Sequence, residues 1–159
     1  MSASVNKSAE QMRILIVDDN QYACALASAQ LKKLGFGETI SVSTGAEAIL
    51  QLQSEQFDAL LTDWYMPDVS GAGLLSVIRD ARFGDQSEIP VIVMTAYASH
   101  DNVERALALK ADQVIVKPVN SDDLSSAFAK AFKRQFEQST HSLEPEVETI
   151  AEEDDFALL

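Results

Sequence analysis

Hydrophobic and polar positions alternate with two different periods between Met12 and Phe136. Short apolar runs of strand length are each followed by a longer stretch with apolar residues at helical spacing. Three of the runs are apolar throughout, which is typical of parallel strands that helices cover on both faces. The pattern predicts five consecutive βα units, an α/β fold. The predicted strands are 13–17, 39–43, 59–62, 91–94 and 113–116, and the predicted helices are 22–34, 46–54, 72–82, 101–109 and 122–136.

Local residues support several of these boundaries. Gly35 follows the first helix, where a residue in the left-handed conformation would close it. Thr44, with Glu47 three residues later, has the sequence of a capping box at the start of the second helix. Ser121 stands before two acidic residues and favours a helix start there.

Charge is unevenly distributed along the 159 residues, which contain 12 Lys and Arg against 25 Asp and Glu. The net charge of −13 opposes binding to nucleic-acid phosphates or to anionic membranes. Residues 137–159 contain eight acidic residues and no basic residue. We predict one domain at 12–136, a flexible segment at 1–11, and an acidic tail at 137–159 that is either disordered or a docking peptide.

The chain has a single cysteine, Cys24, which cannot form an internal disulfide. The polar first residues lack the apolar core of a signal peptide, and no run approaches the ~18 apolar residues of a membrane-spanning helix. These features predict a soluble, cytoplasmic protein in which Cys24 is a small buried hydrophobe.

Polar side chains follow four of the five predicted strands. Asp18 and Asp19 follow the first strand, Asp63 the third, Thr95 the fourth and Lys117 the fifth. Ligands of an open parallel α/β sheet bind beyond the carboxyl ends of its strands. We therefore expect three carboxylates, a hydroxyl and an ammonium to converge at one edge of the sheet.

A cluster of carboxylates at this edge favours a bound cation. Two carboxylates ~4 Å apart repel each other by ~4 kcal/mol at an effective dielectric constant near 20. Oxygen ligands favour a hard cation, and two or three carboxylates completed by water suit Mg²⁺ better than Ca²⁺.

A carboxylate beside Mg²⁺, Lys117 and Thr95 is also suited to attack phosphorus, because the cations would neutralise the phosphoryl oxygens. Asp63 is the best candidate for this nucleophile. Other acidic residues lack such converging partners and are predicted to be ordinary surface acids. They are Asp58, Asp68 and Asp80.

Four separated motifs resemble the receiver domains of two-component response regulators, and are similar to the single-domain chemotaxis type. The resemblance covers about residues 12–136. The motifs are ILIVDD at 14–19, LTDWYMP at 61–67 with Gly71, IPVIVMTA at 89–96 and VIVKP at 114–118. The resemblance implies a flavodoxin-like sheet of strand order 2-1-3-4-5.

The resemblance also implies roles for individual residues. Asp63 would be the phosphoacceptor, receiving phosphate from a histidine kinase or phosphotransfer protein. The Mg²⁺ ligands would be Asp19, Asp63 and the backbone carbonyl of Tyr65, with Asp18 acting through water. Thr95 and Lys117 would form the switch pair, and a cis peptide bond before Pro118 would direct Lys117 into the site.

Several residues around the implied site would modulate it. Receivers often carry an aromatic residue three positions before the lysine, where this chain has Val114, so coupling through such a ring is not available. Movement of Thr95 could still pull the loop that begins at Ala96. Tyr65 and Tyr97 follow Asp63 and Thr95 by two residues, and we expect their rings to shield a phosphoryl group from water. Trp64 is expected to pack at the rim of the site.

The sequence as a whole predicts a stand-alone signalling switch with no separate metabolite substrate. Its output would be a protein–protein interaction through the face of the fourth and fifth helices or through the acidic tail. One alternative is an aspartate-nucleophile phosphatase, although such enzymes need a second acid two residues after the nucleophile, whereas Asp18 and Asp19 are adjacent. Another is a receiver-like binding module that signals without phosphorylation. A flavin-binding module is disfavoured by the acidic loop after the first strand.

Overall fold

The computed structural model describes residues 7–143, within which five strands and five helices alternate in the predicted order. The strands are β1 (Arg13–Val17), β2 (Glu38–Val42), β3 (Ala59–Asp63), β4 (Val91–Thr95) and β5 (Gln113–Val116). The helices are α1 (Gln21–Lys33), α2 (Gly45–Ser54), α3 (Gly71–Arg79), α4 (His100–Ala108) and α5 (Ser121–Leu143).

The strands form one parallel sheet in the order β2-β1-β3-β4-β5, which confirms the predicted fold class and strand order. In the central pair, Val17 of β1 lies beside Thr62 of β3. The residues that follow these two, Asp18 and Asp63, therefore lie at the same level along the strand direction. Asp63 is in turn paired with Met94, one residue before Thr95. The register therefore aligns the carboxyl ends of β1, β3 and β4 at one edge.

Alternate side chains of the central strands enter two separate apolar cores. Leu15, Leu60 and Val93 face α2, α3 and α4 on one side of the sheet. Ile16 and Leu61 face α1 and α5 on the other side. Burial on both faces explains why these strands are apolar throughout.

The ends of the helices follow the predicted signals at some positions and differ at others. Gly35 has a φ of 94°, as expected for the residue that closes α1, and the Thr44 hydroxyl accepts the Glu47 N–H at 3.1 Å. At α5, however, the cap is Asn120 and not Ser121. The Asn120 side chain accepts the backbone N–H of Asp123 at 2.7 Å, and Ser121 is already helical.

The third helix is shorter than predicted. It ends at Arg79 because Asp80 adopts an extended backbone with ψ of 133°, and a separate 3₁₀ turn follows at Ala81–Phe83. The Asp80 carboxylate accepts the Arg82 N–H at 2.8 Å and so caps this turn. No proline or glycine marks the break in the sequence, which is why periodicity predicts one helix through residue 82.

Secondary structure continues past residues 12 and 136, between which the sequence predicts the domain. Ala9–Gln11 form a 3₁₀ turn within the segment predicted to be flexible, and Ala9 accepts the Gly37 N–H at 3.0 Å. At the other end, α5 continues to Leu143, into the predicted tail. The remaining tail, 144–159, and residues 1–6 lie outside the described residues.

Among the described helices, none combines the length and the apolar character that crossing a membrane requires.

Candidate functional site

The sheet brings the predicted carboxylates together at the carboxyl ends of its strands. Asp18 and Asp19 follow β1, and Asp63 is the last residue of β3. One carboxylate oxygen from each residue lies within 4.8 Å of the others. Asp18 and Asp63 are 1% and 6% exposed, whereas Asp19 is exposed. We call this group of two buried acids and one exposed acid the acidic pit.

Lys117, directly after β5, extends into this pit from the opposite side. Its Nζ lies 2.7 Å from Asp18 Oδ2 and 3.2 Å from Asp63 Oδ2. The Lys117–Pro118 peptide bond is cis, as the resemblance implies. The lysine therefore joins the two buried carboxylates at hydrogen-bond distance.

The remaining oxygens of the two buried carboxylates accept backbone N–H groups. Asp18 Oδ1 accepts the N–H of Asn20 at 2.9 Å, and Asp63 Oδ1 accepts the N–H of Trp64 at 2.8 Å. Each carboxylate thus has one oxygen held by a backbone N–H group and the other in an ion pair with Lys117. Such hydrogen bonds to charged groups contribute ~1.5–3 kcal/mol each.

Burial and the closeness of the charged groups shift the pKa values of Asp63 and Lys117. Burial, and next the charge of Asp18, raise the pKa of Asp63 above its ordinary value, although Lys117 and the Trp64 N–H act against the shift. Burial alone would lower the pKa of Lys117, but its hydrogen bonds and charge interactions with Asp18 and Asp63 outweigh burial and raise it. One ammonium therefore offsets only part of the negative charge of the cluster.

The three carboxylates fit a divalent cation. Their oxygens lie close enough together to share one ion, and carboxylate oxygens are the ligands that Mg²⁺ prefers. A second positive group would relieve the repulsion from Asp18, which after burial is the next cause of the raised pKa of Asp63. The exposure of Asp19 leaves one side of the pit open to the water molecules that Mg²⁺ usually retains.

Thr95 ends β4 beside the pit and is 1% exposed. Its hydroxyl accepts the N–H of Tyr97 at 3.1 Å and donates to the Tyr97 carbonyl oxygen at 3.4 Å. The Thr95 hydroxyl is thus engaged with its own loop in this structure. Ala96, the next residue, is exposed and lines an open cleft of about 430 Å³ together with Lys117.

The two tyrosines predicted to modulate the site are largely exposed. Tyr65 is 56% exposed and Tyr97 is 70% exposed. The Tyr65 phenol oxygen accepts a hydrogen bond from the side-chain amide of Asn102 at 2.8 Å, and the same amide donates to the Tyr97 carbonyl at 3.1 Å. Sequence reasoning did not identify Asn102, because an asparagine in the first turn of a helix has no distinctive signal.

Trp64 lies deeper than the predicted rim position. It is 4% exposed and belongs to the apolar core beneath the site. A Cβ atom at Gly71 would lie 2.9 Å from the Trp64 Cα and 2.8 Å from the Asp63 carbonyl oxygen. Gly71 therefore allows α3 to begin directly against the strand that carries Asp63.

The acidic residues predicted to be surface acids lie outside the site, but each has a structural contact. Asp58 binds Lys7 at 3.0 Å and the Arg13 N–H at 2.8 Å. Asp68 accepts backbone N–H groups at the start of α2. Cys24 is buried as predicted, and burial followed by the charge of Asp18 raises the pKa of its thiol.

A five-stranded parallel sheet that brings three acids and a lysine to its carboxyl edge is typical of signalling receivers, and comparison with known proteins agrees. The response regulator receiver domain family matches residues 14–129. The chemotaxis protein CheY of Pseudomonas aeruginosa is 36% identical over 124 residues, which are 77% of this chain and 98% of that protein. CheY-3 of Vibrio cholerae is 34% identical over 134 residues, covering 84% of this chain and 99% of that protein.

Solved structures give the same result. A CheY-like response regulator receiver domain from Methanospirillum hungatei has a TM-score of 0.69 and 31% identity, and the match covers 80% of this chain and 98% of that chain. The present chain belongs to the family of response regulator receiver domains, which act in two-component signalling. Members of this family are generally signalling switches and not enzymes, bind Mg²⁺ at an acidic site, and interact with histidine kinases and downstream proteins.

Proposed function

We propose that this receiver is a phosphorylation-activated switch in which Asp63 accepts a phosphoryl group from a histidine kinase or phosphotransfer protein. The observation that carries the proposal is the contact of Lys117 with the carboxylates of Asp18 and Asp63, within the same group of acids as Asp19. Asp63 is 6% exposed and lies beside the exposed Asp19. A phosphodonor approaching from the carboxyl edge of the sheet would meet this carboxylate beside a fixed ammonium.

Asp19, Asp63 and the Tyr65 carbonyl would hold Mg²⁺, with Asp18 acting through a water molecule. Bound Mg²⁺ would supply positive charge to the phosphoryl oxygens during transfer. In the transfer, an Asp63 oxygen forms a bond to phosphorus while the bond from phosphorus to the donor breaks. Lys117, already directed at Asp63 Oδ2 over 3.2 Å, would pair with the phosphoryl oxygens and so retain the new group.

The output of the switch would be a change in protein binding. A phosphoryl group on Asp63 offers an acceptor to the Thr95 hydroxyl, which would then leave its contacts with Tyr97 and move the loop before α4. The face of α4 and β5 next to this loop exposes apolar side chains suited to a partner. Leu107 is 48% exposed and Val116 is 50% exposed. The acidic tail is a second candidate contact for the partner.

Phosphorylation can be tested by mass spectrometry after incubation with acetyl phosphate and Mg²⁺. We expect the wild type to gain the mass of one phosphoryl group, and Asp63→Asn to gain none. Asp85→Asn is a matched control, because Asp85 is exposed in the segment before β4, at the opposite edge of the sheet. Equal phosphorylation of Asp63→Asn and wild type, or no phosphorylation of the wild type, would reject Asp63 as the phosphoacceptor.

A further inference from the structure

A hydrogen-bonded bridge joins the segment after β3 to the first turn of α4. The Asn102 side-chain nitrogen donates to the Tyr65 phenol oxygen at 2.8 Å and to the Tyr97 carbonyl oxygen at 3.1 Å. Because a carbonyl oxygen can only accept, the amide nitrogen of Asn102 must face Tyr97. The chemistry of the partners therefore fixes the orientation of this amide.

The bridge connects the two segments that leave the proposed phosphorylation site. Tyr65 follows Asp63 by two residues, and Tyr97 follows Thr95 by two residues. The Tyr97 N–H also donates to the Thr95 hydroxyl at 3.1 Å. Through one side chain, the residues after the phosphoacceptor are tied to the loop that holds Thr95.

Packing alone constrains the two tyrosine side chains weakly. Tyr65 is 56% exposed and Tyr97 is 70% exposed, so neither ring is enclosed by apolar neighbours. The hydrogen bond from Asn102 is therefore the specific contact that directs the Tyr65 ring toward α4. Without it, the ring would be free to sample other rotamers in solvent.

We propose that Asn102 is a positioning residue that holds the Tyr65 ring at the entrance to the site and thereby limits the access of water to phosphorylated Asp63. The inference rests on the proposed function, because it concerns the lifetime of that phosphoryl group. In hydrolysis, the water oxygen forms a bond to phosphorus as the bond from phosphorus to the Asp63 oxygen breaks. The products are inorganic phosphate, which with solvent takes up the proton of the water, and the restored carboxylate.

The test compares the release of inorganic phosphate from phosphorylated wild type, Asn102→Ala and Tyr65→Phe, after acetyl phosphate has been removed. Each variant loses the bridge between Asn102 and the phenol, so we expect phosphate release about two- to tenfold faster than in the wild type, the effect of one neutral hydrogen bond. Glu104→Ala is the control, since Glu104 is exposed on the same helix, and its rate should equal that of the wild type.

The double variant Asn102→Ala/Tyr65→Phe separates the bridge from a general effect on stability. If the two side chains act through one hydrogen bond, the combined acceleration will be smaller than the product of the single accelerations. Accelerations that multiply, or an Asn102→Ala rate equal to that of the wild type, would overturn the inference. If instead the wild type accepts no phosphate from acetyl phosphate, the proposed function itself fails.

A measurement on the unphosphorylated protein tests the bridge directly. The side-chain amide resonances of Asn102 in an NMR spectrum should shift in Tyr65→Phe, because that substitution removes only the phenol oxygen that they contact. The same resonances should be unchanged in Glu104→Ala. Identical Asn102 resonances in wild type and Tyr65→Phe would show that the bridge does not form, whatever the outcome of the phosphorylation experiment.

Discussion

Lys117 shares its positive charge between two buried carboxylates, with its Nζ 2.7 Å from Asp18 and 3.2 Å from Asp63. A cation bound by the same acids would be repelled by this ammonium. We therefore expect Lys117→Met to bind Mg²⁺ more tightly, by about tenfold, which corresponds to ~1.4 kcal/mol. Isothermal titration with magnesium chloride measures the affinity without any phosphorylation step.

Lys130→Met is the control for this titration, because it removes one positive charge from an exposed position on α5. Its Mg²⁺ affinity should match that of the wild type. If Lys117→Met binds Mg²⁺ with unchanged or weaker affinity, the ion does not share the carboxylates that Lys117 contacts.

The main residues of the site could be predicted because they follow the strand ends directly. Asp18, Asp63 and Lys117 each stand at or next to the last residue of an apolar run, and the parallel topology brings those ends together. The orientation of the Thr95 hydroxyl toward Tyr97 and the bridge from Asn102 could not be predicted in this way. Both depend on rotamers and loop geometry that leave no periodic signal in the sequence.

At the scale of elements, Asp68 ties the segment between β3 and α3 to the start of α2. Its oxygens accept the N–H groups of Gly45 at 3.3 Å and Ala46 at 3.2 Å. Burial, the largest single effect, raises the pKa of Asp68, but several hydrogen bonds from backbone N–H groups together outweigh it and hold the pKa below its ordinary value of 3.8. The folded state thus favours the ionised carboxylate.

A pKa that is lowered by folding stabilises the protein above the unfolded value and ceases to do so as the pH falls through the folded value. Asp68→Asn keeps one acceptor oxygen and loses the charge, so we expect the free energy of unfolding to fall by about 0.5 kcal/mol at pH 7 for this exposed residue. The difference from wild type should shrink below about pH 4. Urea unfolding of the wild type and Asp68→Asn at several pH values measures this difference in free energy. A difference that stays constant with pH would contradict a lowered pKa of Asp68 in the folded state.

The bounds of the strands and helices could be predicted where capping and turn residues agree with the spacing of apolar residues. Strands β1 and β5 begin and end at the predicted residues, and Thr44 caps α2 as its sequence indicates. The break after Arg79 was missed because the apolar spacing continues past it. It is fixed by the extended backbone of Asp80 and by the cap that Asp80 gives to the next turn, both of which are features of the folded loop.

Across the whole molecule, the polar clusters at the two edges of the sheet have different roles. The carboxyl edge carries crowded acids that suit a ligand, whereas the opposite edge carries a buried cluster around Asp112 in which the charges are paired. Asp112 Oδ2 accepts the Val91 N–H at 2.8 Å and lies 3.4 Å from Arg79, while Oδ1 pairs with Arg134 of α5. Arg79 also donates to the carbonyl oxygens of Ser87 and Lys110.

This paired cluster links α3, β4 and α5 far along the sheet from the site, so its loss should affect stability and not ligand binding. The side chains of Asp112 and Arg79 are 2% and 7% exposed, and Asp112→Ala would leave the buried guanidinium without its carboxylate. We expect the free energy of unfolding in urea to fall by about 3–5 kcal/mol. Asp112→Asn should lose less, because an amide oxygen can still accept the Val91 N–H.

The same two variants should bind Mg²⁺ with the affinity of the wild type under conditions where they remain folded, because Asp18, Asp19 and Asp63 lie at the other edge. If Asp112→Ala lowers the free energy of unfolding by less than about 1 kcal/mol, the hydrogen bonds of Arg79 to the Ser87 and Lys110 carbonyl oxygens are sufficient to stabilise its buried guanidinium. A change in Mg²⁺ affinity would instead mean that the packing of β4 transmits strain along the strand to Thr95 and the site. Measuring both the free energy of unfolding and the Mg²⁺ affinity of these variants thus distinguishes residues that stabilise the sheet from residues that bind a ligand at its carboxyl edge.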